Sequence, residues 1–357
     1  MRPLQGIKVV DFSQFLAGPA CSLRLADLGA EVIKVERPGV GDICRQLYVA
    51  KQKVGDESTI FHAINRNKKS VAIDLKTKSG YQDALQLVAG ADVVIQNFRP
   101  GVAKKLGIDW TTLREVNPKL VYGSVSGYSP DSTTWKDKPG QDLLAQSLSG
   151  LVWSNGDGQE PQPMGLAIAD LTAAYELAQG VLALLVRRGL TCEGGLTEVS
   201  LVESLISLQS IALFEHLNHG VTLGEVSKDA QGIYQTLDGY LAIGSVDFRT
   251  VSKALALDTN KALSLKNYIS KQPKRPLLEA LKSNSIPACP VLDWHELRES
   301  DHYKSLNFEQ GVFNKQQQIL HTTRCPITID GERFISPIGA PEVGEHTHLF
   351  IGNSTCL

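Results

Sequence analysis

Apolar and polar positions follow two different periods along the first 130 residues. Residues 7–12 (IKVVDF) are a short apolar run of the length of a buried strand. A tight turn at Ala17-Gly18-Pro19-Ala20 follows, with proline at a natural first-helix position. Residues 21–28 then carry apolar side chains at helical spacing, and Gly29 is a candidate C-cap. Residues 31–36 (EVIKVE) predict the next strand. The unit recurs more loosely as strand 71–75, helix 79–89, strand 91–96, a short Pro-started helix at 100–106 and strand 120–126. Strands alternating with helices predict an α/β fold on a mainly parallel sheet covered on both faces.

The pattern then changes. Residues 141–152 and 165–188 are helical and strongly apolar, and 198–216 predicts a further apolar helix packed on them. Residues 234–243 read as strand, turn and strand around Asp238-Gly239, followed by a Lys-rich helical stretch to about 284. Ile286-Pro287-Ala288-Cys289-Pro290 predicts a rigid connection. These shifts set a large domain at 1–224, a smaller one at 225–325, and a return to the large domain at 326–357. Repeats of solenoid period and low-complexity stretches are absent from the sequence.

A chain of 357 residues with 42% hydrophobic side chains can bury a sizeable core. The formal net charge of -2 argues against a nucleic-acid partner, which draws a basic excess. No uninterrupted apolar run reaches the roughly 18–20 residues that span a bilayer, so no membrane partner is expected. The N-terminus enters a strand without a signal-peptide core, and a cytoplasmic protein is expected. Cys21, Cys44, Cys192, Cys289, Cys325 and Cys356 form no C-x-x-C pair and no zinc-spaced cluster, so they read as reduced packing thiols. His346 and His348 read as a surface pair, and no metal site is expected.

Glu36 ends the second strand where an acid can hold a dinucleotide's ribose. The preceding turn opposes that reading, since it has Gly18 alone where three glycines are needed, and Pro19 lacks an N–H. Arg37 suits a different ligand, because a guanidinium stacks on adenine. The strand ending at Gln96 opens into Asn97, Phe98, Arg99 and Pro100, then Lys104 and Lys105. That edge suits a polyphosphate joined to a flat base, and equally a solvated basic loop. Asn65-Arg66-Asn67-Lys68-Lys69 and Lys76 form a second basic cluster with the same two readings. Asp170 opens an apolar helix among Ala169, Ala173 and Ala174. It is either an N-cap or a carboxylate left with room for a reactant.

The motifs occur in an order that resembles the class III CoA-transferases. Leu4-x-Gly6-x-x-Val9-Val10-Asp11-Phe12, Ala17-Gly18-Pro19 and Leu28-Gly29-Ala30-x-Val32-Ile33-Lys34-Val35-Glu36-Arg37 match the family's opening. Asn67-Lys68-Lys69-Ser70, Asp74-Leu75-Lys76, Gln96-Asn97-Phe98-Arg99-Pro100-Gly101, Ser124-Val125-Ser126-Gly127-Tyr128 and Ala169-Asp170 follow. Asp238-Gly239-Tyr240, Ile286-Pro287-x-x-Pro290-Val291 and Gly344-Glu345-His346-Thr347 complete a resemblance over most of residues 4–348.

The resemblance implies a Rossmann-like large domain, a smaller α+β domain and an interlocked homodimer. It implies Asp170 as catalytic nucleophile, already ionised at its ordinary pKa, and no permanently bound cofactor. Coenzyme A and acyl-CoA enter as substrates, with a carboxylic acid as acceptor. Ala17 and Arg37 correspond to positions beside the adenine end. Ile73, Asp74, Leu75, Lys76, Asn97, Phe98, Arg99 and Lys105 correspond to other CoA contacts, with Lys105 where some members have arginine. Lys138 and Gln141 lie near the pantetheine arm, and Gln14 and Gln141 near the exchanged acids. The chain lacks the glycine run that some members place over the site. Two alternatives share the fold: an acyl-CoA racemase, in which Gln141 stands at the second base, and a catalytically silent CoA-binding homologue.

Overall fold

The computed structural model describes residues 1–48, 52–155, 160–220, 229–257 and 262–351. The chain runs β1 (Lys8–Asp11), α1 (Ala17–Asp27), β2 (Glu31–Glu36), a small hairpin of β3 (Lys53–Val54) and β4 (Glu57–Ser58), α2 (Thr59–Asn65) and β5 (Lys69–Ala72). It continues through α3 (Lys78–Ala89), β6 (Val93–Gln96), α4 (Val102–Leu106), α5 (Trp110–Val116), β7 (Val121–Ser126) and α6 (Asp142–Leu148). Then come α7 (Ile168–Thr191), β8 (Gly195–Ser200), α8 (Leu201–Leu208) and α9 (Ser210–His219). The central sheet is parallel throughout, in the order β5-β2-β1-β6-β7-β8. Strand order reverses between β1 and β6, and a sheet of this kind opens a ligand crevice at the carboxyl ends of those two strands.

The period of two decides which face each strand residue covers. Val9, Val32, Val93, Ile95 and Val121 pack with the buried stripes of α1 and α7. Val10, Ile33, Val94 and Tyr122 face the other way, onto Ala84 and Val88 of α3 and Leu113 of α5. Helix α7 has the 24 residues that its sequence pattern implied, set three positions further along, and by length and composition it is apolar enough to cross a bilayer. Here Ala169, Ala173, Ala174, Leu177, Ala178 and Val181 bury one face of it against the sheet.

Two expected elements differ. The predicted helix at 198–216 begins three residues inside strand β8, and the helical part divides into α8 and α9. Ser200 both ends the strand and caps α8, accepting from the Glu203 N–H at 3.2 Å, so no polar break separates strand from helix. The strand expected at 71–75 stops at Ala72, because Asp74 turns the chain by accepting from the Lys76 N–H at 3.0 Å.

The chain divides into two units, Met1–Leu217 with Glu309–Leu357, and Asn218–Phe308. The return therefore starts at Glu309 rather than 326, with β12 (Glu309–Phe313) and β13 (Ile319–Thr323) once the second unit's elements are counted. That unit holds the hairpin β9 (Gly232–Thr236) and β10 (Gly239–Ile243), then helices Phe248–Ala254, Ala262–Ile269 and Lys274–Ser283. The Pro-rich connection is a third strand, β11 (Ala288–Pro290), antiparallel to β10 on the sheet edge where proline is tolerated. In the first unit, Gly344 N and His346 N bond Ser70, each at 2.9 Å, and the Ala72 N–H donates to Thr347 Oγ1 at 2.9 Å. The C-terminal motif thus covers the exposed edge of β5. His346 is engaged there, its Nδ1 accepting from Ser70 N at 3.3 Å. Among the described residues no group of three His, Cys, Asp or Glu is placed to hold a metal. Five of the six cysteines are free thiols, and Cys356 lies outside the described residues.

Candidate active site

The loop leaving β1 is held from beneath by buried charges. Asp11 accepts from the Ser13 N–H at 2.9 Å and from Ser22 Oγ at 2.5 Å, and lies 3.3 Å from Lys68 Nζ. Lys68 Nζ also donates to the Pro19 carbonyl at 2.8 Å. Lys34 Nζ donates to the Ser13 carbonyl and pairs with Asp42, each at 2.8 Å. Burial pushes the Lys68 ammonium down to about 8 against the pull of Asp11. From β6, Asn97 grips the same loop, accepting from Gln14 N at 2.8 Å and donating to Gln14 O at 2.7 Å. Gly18 has no Cβ because one would collide with Ser13. Its service is close packing of this loop, rather than approach to a pyrophosphate.

Over that crevice lies a cavity of about 330 Å³ whose lining includes Ala17, Asn97, Phe98, Arg99, Lys138, Gln141 and Asp170. Gly127, after β7, and Gly140, before α6, touch backbone to backbone, so a Cβ on either would meet the other's Cα. That contact carries the 138–141 segment to the cavity wall. Asp170 sits in the first turn of α7 without capping it. The Ala169 and Asp170 N–H groups donate instead to Asp142 Oδ2, at 2.7 and 3.2 Å. The cap reading of Asp170 falls, and its side chain is left for the cavity. Burial first, and the Asp142 charge second, push its carboxyl up to about 6, while the Ala17 N–H bonded to it pulls down. The expectation of an unperturbed aspartate is corrected accordingly.

A second cavity of about 80 Å³ is lined by Gln14, Arg37, Ile73, Asp74, Leu75 and Lys76, and shares Phe98 with the first. Phe98 lines a third, of about 460 Å³, with Arg99, Lys104, Lys136, Ser124, Ser126, Glu198 and Ser200. Lys105 is the one residue of the predicted set that lines none of the three; its neighbour Lys104 takes that wall. In the 65–69 cluster, Arg66 pairs with Asp27 at 2.9 Å and Lys68 with Asp11, so both are internal scaffold. Glu36 is committed to Arg45, with Nε at 2.8 Å, to Ser70 Oγ at 2.6 Å and to Asp42 N at 2.8 Å, so it holds no ribose. Among the described residues Arg37, Lys76, Arg99, Lys104 and Lys138 have no ion-pair partner, as cations kept for an anionic ligand would not.

The model of the family described as CoA-transferase family III matches residues 4–347. The chain belongs to this family. It is 30% identical to succinate–glutarate CoA-transferase of Agrobacterium fabrum, over 96% of this chain and 94% of that one. Human succinyl-CoA:glutarate CoA-transferase is also 30% identical, over 90% of this chain and 75% of the other. The crystal structure of Rv3272 from Mycobacterium tuberculosis superposes with a TM-score of 0.86 at 28% identity, covering 98% of this chain and 99% of that one. As a family member the protein is an enzyme, a CoA-transferase, whose substrates are CoA thioesters.

The sequence placed Lys104 on the basic edge after β6 but gave no sign of Gln146 as a site residue or of Asp142 as the cap of α7. Asp142 opens a helix directly after Gly140-Gln141, but its partner N–H groups lie 27 and 28 positions away.

Proposed function

We propose that the protein transfers CoA from an acyl-CoA donor to a carboxylic acid, with Asp170 carrying the acyl group. The supporting observation is a part-buried carboxylate facing the cavity that Arg99, Lys138 and Gln141 also line. The carboxylate attacks the thioester carbonyl, giving an acyl-aspartyl anhydride and CoA thiolate. The thiolate returns to the aspartyl carbonyl, releasing the donor acid and leaving an aspartyl-CoA thioester. The acceptor carboxylate attacks that thioester to form a second anhydride and thiolate. Attack of the thiolate on the acceptor's acyl carbonyl then yields the new acyl-CoA and restores Asp170. No step consumes a proton, and splitting one transfer into smaller steps is what a nucleophilic carboxylate offers. The narrow cavity beside Arg37, Ile73 and Lys76 is assigned to the adenine end of CoA, and the wider one to the pantetheine arm and the acids. The relatives' names make four- and five-carbon dicarboxylates the first acids to test, with Arg99 and Lys138 as partners for the second carboxylate.

Incubation with succinyl-CoA should leave an adduct on Asp170 that hydroxylamine traps and mass spectrometry locates. Asp170→Ala should fold and lose at least a thousandfold in transfer rate, as loss of a nucleophile does. Wild-type turnover in that variant would sink the mechanism. A racemase needs a second acid/base group across the α-carbon. Gln141 cannot supply one, and Asp142 is occupied by two backbone N–H groups and Gln146. A 2-methylacyl-CoA should therefore exchange no α-proton with deuterated water while CoA transfer proceeds; rapid wash-in without transfer would favour the racemase.

The active form is proposed to be a homodimer. Leu144, Leu148, Leu208, Ile211 and Leu217 on α6, α8 and α9 are all exposed on the single chain, Ile211 at 81% and Leu217 at 73%. An apolar band of this extent suits a second copy.

A further inference from the structure

One carboxylate on α6 organises the whole approach to α7. Asp142 Oδ2 takes the N–H groups of Ala169 and Asp170, while its Oδ1 accepts from Gln146 Nε2 at 2.5 Å. Gln146 Oε1 in turn accepts from the Met164 N–H at 2.9 Å, so α6 fixes both ends of the 164–170 segment. The positive end of a helix dipole stabilises a nearby carboxylate and lowers its basicity. At α7 that end is met by Asp142.

We propose that Asp142 is a positioning residue for the nucleophile, capping α7 so that Asp170 faces the cavity and keeping a second negative charge beside it so that its carboxylate stays basic. This rests on the reading of Asp170 as the acyl carrier. The surroundings support it. Helix α1 offers Asp170 the Ala17 N–H, α8 the apolar Leu201, the loop after β6 Arg99, and the segment before α6 Lys138 and Gln141. Among the described residues that line this cavity, Asp142 of α6 alone adds a negative charge to that of Asp170. Of the causes acting on Asp170, Asp142 ranks second to burial and acts in the same direction, upward to about 6. A carboxylate at that value is still about nine-tenths ionised at neutral pH. It is also a better nucleophile than one near 4, because nucleophilicity rises with basicity.

The experiment compares Asp142→Asn with wild type across pH, reading kcat/KM for transfer and the rate of the hydroxylamine-trapped adduct. Asparagine can still accept the two backbone N–H groups but carries no charge. The acid limb should move down by about one pH unit, and the rate on the plateau should fall roughly three- to tenfold. A rate loss with the acid limb unmoved would leave Asp142 a structural cap and overturn the proposal. If Asp142→Asn does not fold, Asp142→Ser, a neutral helix cap, is read the same way: a lowered acid limb supports the proposal and an unmoved one overturns it. Failure of the parent reading looks different, as no trapped adduct on wild-type Asp170 at any pH, and the proposal then falls with it.

Discussion

The Asp170 carboxyl, held near 6 by burial and by Asp142, binds a proton more tightly in the folded chain than in the unfolded one. Its contribution to stability is therefore fully present below about 4 and is lost as pH rises through about 6. At neutral pH the ionised side chain weakens the fold for the sake of a reactive carboxylate. Asp170→Asn keeps the shape without the charge. It should abolish transfer and yet raise the melting temperature at pH 7.5 by a few degrees, on the order of 1–2 kcal/mol. The gain should vanish below pH 4, which thermal melts across pH check directly. An unchanged or lower melting temperature at pH 7.5 would show that burial and Asp142 impose no such cost.

At the scale of elements, the site depends on contacts between segments that no local propensity specifies. Gly127 and Gly140 let the exit of β7 touch the entry of α6, which aims Lys138, Gln141 and Asp142 at the crevice. Gly127→Ala forces a methyl group into the Gly140 backbone, which cannot yield as a side chain tip can. It should cost about 1–3 kcal/mol in chemical denaturation and more than tenfold in transfer. Gly189→Ala is the control: its Cβ meets nothing within 4 Å on the exposed face of α7, and it should be neutral or slightly stabilising. Equal effects of the two substitutions would show that the Gly127–Gly140 contact has no role in the site.

At the scale of the whole molecule, the apolar band on α6, α8 and α9 predicts association. Sedimentation should find a dimer at nanomolar concentration, and Leu148→Asp with Ile211→Asp should weaken it and lower stability. A folded wild-type monomer at those concentrations would remove the interface. The sequence by itself determined the alternation of strands and helices, because periods of two and 3.6 are local properties of the chain. It also carried the ordered motifs from Leu4 to Thr347 that mark the family. It misjudged residues 198–216, where Ser200 serves strand and helix at once, and it left Arg66 and Lys68 between a polyphosphate site and a solvated loop, neither of which they form. Tertiary structure alone decided which charges are internal, since Asp27 and Asp11 meet them from 39 and 57 residues away. It decided likewise that Asp142, and not Asp170, caps α7. Pairing across such distances depends on how the sheet and helices pack, and that packing leaves Asp170 to the cavity.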